Sequence, residues 1–490
     1  MRYKPSYYNI RLDHKEWTLL FNGVSSGLIR LPKPIAEQLL PFLGPDRPRA
    51  AGTGLKQWEY PTFEVEELPI MFQQKFPEFL EGNYFVPEET DEQQSLEDRY
   101  NYLRETSPFH ITITTTMDCN LGCYYCYEDK SKQYLSRQGC DIILDWIRQQ
   151  AIEKQHERLY IDWYGGEPML NQDAILYFSE KVIALCEELG IIYSSSMISN
   201  GTRWPENPGD FVKKIQLKHV QITLDGPEQA HNKRRRYVDR NENSGGSFQT
   251  ILETIDRLIG NIRVYLRINV DPWVGRSALE LLDTFKERNW LRPDANFYPL
   301  LASIGPMTEH CGFLGESVAV QEFQSEFDKM CHEFNDEVAR YIGTDGMQHM
   351  HYYPKAVTIN CAAVGKNSMI FGPDGKMYKC CLEVGDSHRA HDSISLAGTA
   401  EASSNANALP IIGNGSNGNP REFSPDRWDK YDPFSHERCS QCQFLPICMG
   451  GCPKSQMDGT EYYIKLESEY WEENIDRVIK SYFEAEYATN

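Results

Sequence analysis

His110-Ile111-Thr112-Ile113-Thr114-Thr115-Thr116-Met117-Asp118-Cys119-Asn120-Leu121-Gly122-Cys123-Tyr124-Tyr125-Cys126-Tyr127 joins an apolar, Thr-rich stretch to three thiols spaced C-x3-C-x2-C. The β-branched residues predict a strand over His110–Thr116. Thiolates are the usual protein ligands of a [4Fe–4S] cluster, which takes four. Three leave one iron for a ligand that is not protein, as expected where chemistry happens at the metal. A zinc site is the competing reading. Zinc takes four ligands, commonly as paired C-x2-C units, and no His or second pair lies close by.

Outward from this stretch, strand and helix patterns alternate. Strands are predicted at Leu159–Tyr164, Ile191–Ser199, His219–Asp225, Arg263–Val270 and Asn296–Leu301. Helices are predicted at Arg137–Gln155, Gln172–Leu189, Phe248–Ile259 and Ala278–Arg288. Such alternation gives parallel βα units, and six units rather than eight predict an α/β partial barrel over 107–342. Chemistry in a barrel sits at the C-terminal ends of strands, where the three cysteines fall.

The flanks differ. Residues 1–86 read as a small separate unit, with strands at Tyr7–Arg11 and Trp17–Asn22 and helices at Pro32–Phe42 and Glu66–Gly82. Residues 87–106 are acidic and polar, a linker or a solvated helix. From 343 to 490 the regular pattern fades and cysteines become dense. The Ser/Asn/Gly-rich Ala400–Pro420, inside a stretch 386–430 taken as a mobile loop, has too little apolar content to order itself.

At 490 residues, two or three domains are expected. The net charge of −21 argues against a nucleic-acid partner and against docking on anionic membranes. The N-terminal MRYKPSYYNIRLDHKEW lacks the apolar core of a signal peptide, and no apolar run reaches membrane length. A cytoplasmic protein is expected, in which fourteen cysteines serve as metal ligands more readily than as disulfides.

The C-x3-C-x2-C run with Tyr125 before its last cysteine resembles the radical S-adenosylmethionine (SAM) superfamily. Gly165-Gly166-Glu167-Pro168 after the second strand, Ser199-Asn200-Gly201-Thr202 after the third and Leu224-Asp225-Gly226 after the fourth agree with it. The resemblance implies that Cys119, Cys123 and Cys126 hold a [4Fe–4S] cluster whose open iron binds SAM. It implies that Gly165 and Gly166 approach the cofactor, that Glu167 and Pro168 fix the turn, and that Ser199 and Asn200 bond its ribose and carboxylate. Arg267 and Asn269 alternate on the fifth strand and so share a face. Arg267 suits a bidentate bond to the cofactor carboxylate or a rim salt bridge. Asp225 either touches substrate, orients the ribose or caps a loop. The run His231–Arg236 reads first as a solvated basic patch and second as a guide for substrate carboxylates.

Cys361-x13-Gly375-x4-Cys380 and Cys439-x2-Cys442-x5-Cys448-x3-Cys452 resemble the SPASM extension of peptide-modifying radical enzymes. The resemblance implies two auxiliary [4Fe–4S] clusters, one on Cys361, Cys380 and Cys452 and one on Cys439, Cys442 and Cys448. No cysteine follows Cys452. The last ligand of the second auxiliary cluster is therefore Asp458, Glu467, Glu469 or none, and Cys331 or Cys381 competes with an open iron at the first. In sulfatase-maturing members the residue after the ligand matching Cys380 is an aspartate base. Here it is Cys381, a ligand, a hydrogen donor or acceptor, or a small buried side chain. Cys381 and Asp225 are the catalytic candidates. Cys140, Cys186 and Cys311 read as ordinary buried thiols.

The N-terminal unit resembles the winged-helix element that binds leader peptides by strand addition. Together these features imply an enzyme that cleaves SAM and installs a carbon–carbon or thioether crosslink in a ribosomally made precursor peptide. The resemblance also implies a small electron-donor protein such as a flavodoxin or ferredoxin. The alternatives are a maturase of a protein enzyme, a small-molecule dehydrogenase and a non-catalytic iron–sulfur scaffold.

Overall fold

The computed structural model describes residues 1–44, 60–239, 245–304, 318–342, 353–393, 426–459 and 461–487. The chain divides into two compact units. The first gathers Met1–Ser107, Tyr352–Lys366 and Arg427–Asn490. Two small sheets build it. In one, β1 (Arg2–Pro5) lies between β5 (Phe63–Glu64) and β6 (Phe85–Pro87); in the other, β2 (Asn9–His14), β3 (Trp17–Asn22) and β4 (Leu28–Pro32) run antiparallel in that order. Alternation on β2 and β3 buries Ile10, Leu12, Leu19 and Phe21 in one cluster with Phe444, Ile447, Ile475, Ile479 and Phe483. The two ends of the sequence therefore share a core, which pattern reading of each end alone does not reveal.

Two expectations change here. The single helix expected at Glu66–Gly82 is broken into a 3-10 turn, Ile70–Gln74 and Phe76–Glu81, because Pro69 and Pro77 can donate no helical N–H. The polar stretch 87–106, expected as a linker or a solvated helix, holds the helix Glu92–Glu105, capped by Asp91, which is not wholly solvated: it buries Leu96, Tyr100 and Arg104. The Arg104 guanidinium donates to the carbonyls of Val364, Tyr431, Trp428 and Asp429 at 2.7–3.1 Å.

The second unit, Pro108–His351 with Asn367–Asp426, is α/β. Its sheet contains β7 (Phe109–Thr116), β8 (Arg158–Gly165), β9 (Ile192–Ser199), β10 (Leu217–Thr223), β11 (Arg263–Val270) and β12 (Phe297–Ser303), all parallel and neighbours in sequence order. These are the six strands expected. On the other side of β7 the sheet continues through β13 (Ser368–Phe371, parallel to β7), β14 (Lys376–Tyr378) and β15 (Asp392–Ser393). Of the 386–430 stretch, 394–425 lies outside the described residues, and so does Cys311.

Alternate side chains of the strands (Ile111, Ile113, Ile161, Trp163, Val220, Ile222, Val264, Leu266) are fully buried in the main apolar core. The helix Phe248–Leu258 meets this core with Phe248, Ile251, Leu252, Ile255 and Leu258, one stripe at helical spacing. Each such side chain contributes about 1.5–3 kcal/mol. Cys140 and Cys186 are part of this core, and Cys331 packs against it. The opposite face of the strands is polar: His110 meets Asp162 at 2.6 Å, and Ser196 bonds the same carboxylate. No helix among the described residues is long and apolar enough to cross a membrane.

Candidate active site

Three strand ends meet around the cysteine loop. At the end of β8, Gly166 donates its N–H to Thr116 O at 3.0 Å and Glu167 donates its own to Asp118 O at 2.9 Å. The glycines are required by this contact. A Cβ on Gly165, whose φ is +132°, would lie 2.2 Å from Thr116 O, and one on Gly166 would lie 2.4 Å from Asp118 O. Their backbone is thus pressed against the loop that carries Cys119. Pro168 is buried at the start of the 3-10 turn that follows.

The Glu167 carboxylate is fully buried and locks the end of β9. It accepts from Asn200 N at 2.5 Å, Ser199 Oγ at 2.9 Å and Met169 N at 3.0 Å. Burial outweighs these bonds and pushes its pKa up to about 7. Ser199 Oγ also accepts from Gly201 N and Trp204 Nε1, so this hydroxyl is occupied within the protein. Asn200 Nδ2 reaches Asn120 Oδ1 at 2.9 Å and Cys119 Sγ at 3.7 Å, and Asn120 bonds Thr202. The strand-end motifs therefore lock together around Cys119.

Beyond Cys119 the loop is held from the other side by the basic run. His231, Arg234 and Arg235 are buried, which overturns the solvated-patch reading for them, whereas Lys233 and Arg236 are exposed. Arg236 O accepts from Gly122 N at 2.8 Å, Val238 N donates to Asn120 O at 2.9 Å, and Tyr237 bridges Leu121. Tyr124 OH donates to Asp271, which Arg234 Nη1 meets at 2.6 Å. Tyr125 OH donates to Asp225 and accepts from Arg235 Nη1 at 2.8 Å and Asn269 Nδ2 at 3.2 Å. Arg267 Nε donates to Asn269 Oδ1 at 2.8 Å. A guide for incoming carboxylates would need exposed cations. Of the buried pair, Arg234 is held by Asp271 and Arg235 by the Tyr125 hydroxyl.

His231 completes this frame. Its Nδ1 accepts from Asp225 N at 3.1 Å, its Nε2 faces Ser247 Oγ at 3.0 Å, and Ser247 donates to Arg235 O at 2.7 Å. Burial, with Arg235 and Arg234 nearby, holds its pKa well below the usual value, so the ring is neutral. Nothing in the run HNKRRR announces burial. Its position after Leu224-Asp225-Gly226 at a strand end, with four residues between, is the available signal.

Burial pushes the Cys119 thiol up to about 12 and the Cys126 thiol up to about 11. Lys130, which donates to Leu121 O, opposes both shifts and interacts electrostatically with all three thiolates. Among the described residues no three His, Cys, Asp or Glu side chains are drawn together tightly enough for one metal ion. A cubane bonds each thiolate through a different iron and asks for a wider set. Three buried atoms at this loop lack a hydrogen-bond partner among the described residues, Asp225 Oδ1, Arg234 Nε and Arg235 Nε. An acceptor and two donors left open beside three thiols fit a bound polar cofactor.

Cys381 lies at the β13–β14 edge, packed with Met117, Ile370, Tyr378 and Val384. It is within electrostatic reach of Tyr127 and Tyr164, whose hydroxyls bond each other. Its neighbour Cys380 belongs to the same unit. Cys361, Cys439, Cys442, Cys448 and Cys452 belong to the first unit. There the Asn360 amide donates to Met449 O and Gly451 O, tying the start of one cysteine segment to the turn between Cys448 and Cys452. Tyr431 interacts electrostatically with Cys439, Cys448 and Cys452, and Tyr100 with Cys361. The Tyr431 and Tyr100 hydroxyls are buried without a hydrogen-bond partner among the described residues, donors suited to cluster sulfur. Asp458 is engaged by Arg427 and Lys454 at 2.9 and 2.8 Å.

A family model described as the Radical SAM superfamily matches residues 113–284. Over 385 residues the chain is 22% identical to a cysteine-type anaerobic sulfatase-maturating enzyme of Clostridium perfringens (strain 13 / Type A), covering 74% of this chain and 94% of that protein. Over 165 residues it is 26% identical to the sporulation killing factor maturation protein SkfB of Bacillus subtilis (strain 168), covering 34% of this chain and 36% of that one. The solved structure of native anSMEcpe with bound AdoMet and a Kp18Cys peptide has the same fold, with a TM-score of 0.51 at 18% identity over 76% of this chain and 98% of that chain. Residues 113–284, which carry the cysteine loop and the strand ends that lock it, are a radical SAM domain, and the chain is an enzyme.

Proposed function

We propose that this enzyme is a peptide maturase that installs a carbon–carbon or thioether crosslink in a ribosomally made precursor peptide. The observation that carries the reading is the cysteine loop, locked between Glu167, Asn200 and the Arg234–Val238 segment with Asp225 Oδ1 and Arg235 Nε left open beside it. Cys119, Cys123 and Cys126 would hold the [4Fe–4S] cluster. With SAM it supplies reductive cleavage to methionine and a 5′-deoxyadenosyl radical. The protein's own part is positional. Glu167 and Asn200 fix Cys119, Tyr125 and Asn269 fix Asp225 and Arg267, and the apolar core behind the strands excludes water.

Joining two side chains removes two hydrogens: one as an atom, the other as a proton and an electron. The Cys439, Cys442 and Cys448 set, which lies within the first unit, is the candidate to house an electron acceptor. A peptide partner is supported by the first unit, where a cavity of about 400 Å³ runs along the β2 edge, lined by Arg11, Asp13, Lys33, Glu37 and Gln443. Strand addition at such an edge binds a peptide through its backbone. The second relative, a maturation protein for a sporulation killing factor, points the same way.

Anaerobically reconstituted enzyme given SAM, a reductant and the short peptides encoded beside its gene should form 5′-deoxyadenosine and lower one peptide's mass by two hydrogens. Enzyme that consumes SAM but changes no peptide would count against the crosslinking assignment. Replacing Cys119, Cys123 and Cys126 together by Ala should abolish 5′-deoxyadenosine. The second reading, maturation of a protein enzyme, is favoured by the sulfatase-maturating relative. It predicts oxidation of a sulfatase-derived peptide, with Cys381 standing where that family's aspartate base would stand.

A further inference from the structure

We propose that Arg235 is a buried cation that raises the reduction potential of the cluster bound at Cys119, Cys123 and Cys126, with Tyr125 and Asp225 holding it in place. The inference rests on the radical SAM reading of that loop. Arg235 acts through the groups around the cluster and is a positioning residue in that sense.

Its backbone is fixed on all sides. Arg235 N donates to His231 O at 2.8 Å, Arg235 O accepts from Ser247 Oγ, and the next residue's carbonyl bonds Gly122, immediately before Cys123. Its head is fixed by the Tyr125 hydroxyl, two residues after Cys123 and immediately before Cys126. A guanidinium gripped this way cannot swing out to water, and it is 6% exposed. The neighbouring Arg234 is compensated by Asp271 at 2.6 Å and Asp225 at 3.6 Å. Arg235 has only a share in Asp225, reached through Tyr125. Beyond these, the Cys123 sulfur and the buried Glu167 carboxylate lie within its electrostatic reach, and its Nε has no hydrogen-bond partner among the described residues.

A cation in a site without water acts on nearby charge with little screening. Reduction adds one negative charge to a cluster already made anionic by its thiolates. A fixed positive charge beside one ligand therefore stabilises the reduced state more than the oxidised one. Charge and hydrogen bonds around the sulfurs are established levers on such potentials. Lys130 acts on the same thiolates from the Leu121 side, so Arg235 supplies part of the field and its removal gives a shift rather than a loss of the cluster.

The test is an anaerobic redox titration of the reconstituted full chain, followed by electron paramagnetic resonance on the signal that SAM perturbs, with iron per chain measured alongside. Arg235→Gln should lower the reduced-to-oxidised ratio at the wild-type midpoint roughly tenfold, about 59 mV for one electron. Arg235→Lys should restore the wild-type value. Asp225→Asn, which removes the opposing anion, should shift the midpoint upward, and it carries the test alone if Arg235→Gln does not fold. Gln and Lys variants that shift alike, or an Asp225→Asn midpoint that stays put or falls, would overturn the proposal. A wild-type signal that SAM does not perturb would instead remove the radical SAM reading on which it stands.

Discussion

Gly122 donates its backbone N–H to the carbonyl of Arg236 at 2.8 Å, so the loop bearing the three cysteines is paired to a segment 114 residues later in the chain. The bond involves backbone only. Arg236→Ala should therefore load iron like the wild type. Val238→Pro, which removes the N–H that Asn120 O accepts, should lose about 1 kcal/mol of stability and load less iron. Iron per chain after reconstitution separates the two variants.

Glu167 gives a pH signature. Its folded pKa is raised to about 7 from 4.5, so the folded state binds more protons than the unfolded state between those values. The group's contribution is most favourable below pH 4.5 and is lost as pH rises through 7, by about 3 kcal/mol in all. Glu167→Gln should remove this fall while keeping only one of the two acceptor oxygens, since Asn200 N and Met169 N bond different ones. Denaturant unfolding at pH 5 and pH 7.5 reads it: the two proteins should diverge at the lower pH, with the wild type gaining. Equal pH dependence in both would be the contrary result.

Gly165→Ala and Gly166→Ala each place a methyl against backbone oxygen of the cysteine loop. The loop must move, because neither obstacle is a flexible side chain. Both variants should fold with reduced melting temperature and bind less iron at this loop, whereas Gly190→Ala, which meets nothing within 4 Å, should cost only left-handed backbone strain. Iron content and melting temperature together make the comparison.

Arg104 is the corresponding lock in the first unit. Truncation to Met leaves four carbonyls from two distant segments without their donor and should cost about 3 kcal/mol or more. Lys should recover only part, since one ammonium cannot span a fork of four acceptors. Chemical denaturation checks both variants, and iron bound by the Cys361 and Cys439–Cys452 segments should fall with stability.

Much of the second unit was legible in the residues. Period-two alternation placed β7 to β12 within a few positions, because half-buried strands must present every second side chain to the helices. Pro69 and Pro77 mark the breaks in the Glu66–Gly82 stretch, since neither donates a helical N–H. β13 was beyond reach: four residues joining β7 from more than 250 positions away carry no periodic signal of their own.

The site divides in the same way. The sequence by itself determined the chemistry: three thiols at a strand end, with glycine, glutamate and asparagine turns at the next strand ends. It could not determine what those turns touch. Local spacing reports which face a residue lies on, whereas hydrogen bonds between strand ends depend on register and on how the sheet brings them together. Only the tertiary structure decided that Gly165 and Gly166 press on the cysteine loop, that Glu167 holds Ser199 and Asn200, and that Arg234 and Arg235 are buried. Six consecutive polar residues look solvated because charge is costly to bury. Here Asp225, Asp271 and two tyrosines of the cysteine loop offset that cost, and all four lie elsewhere in the chain.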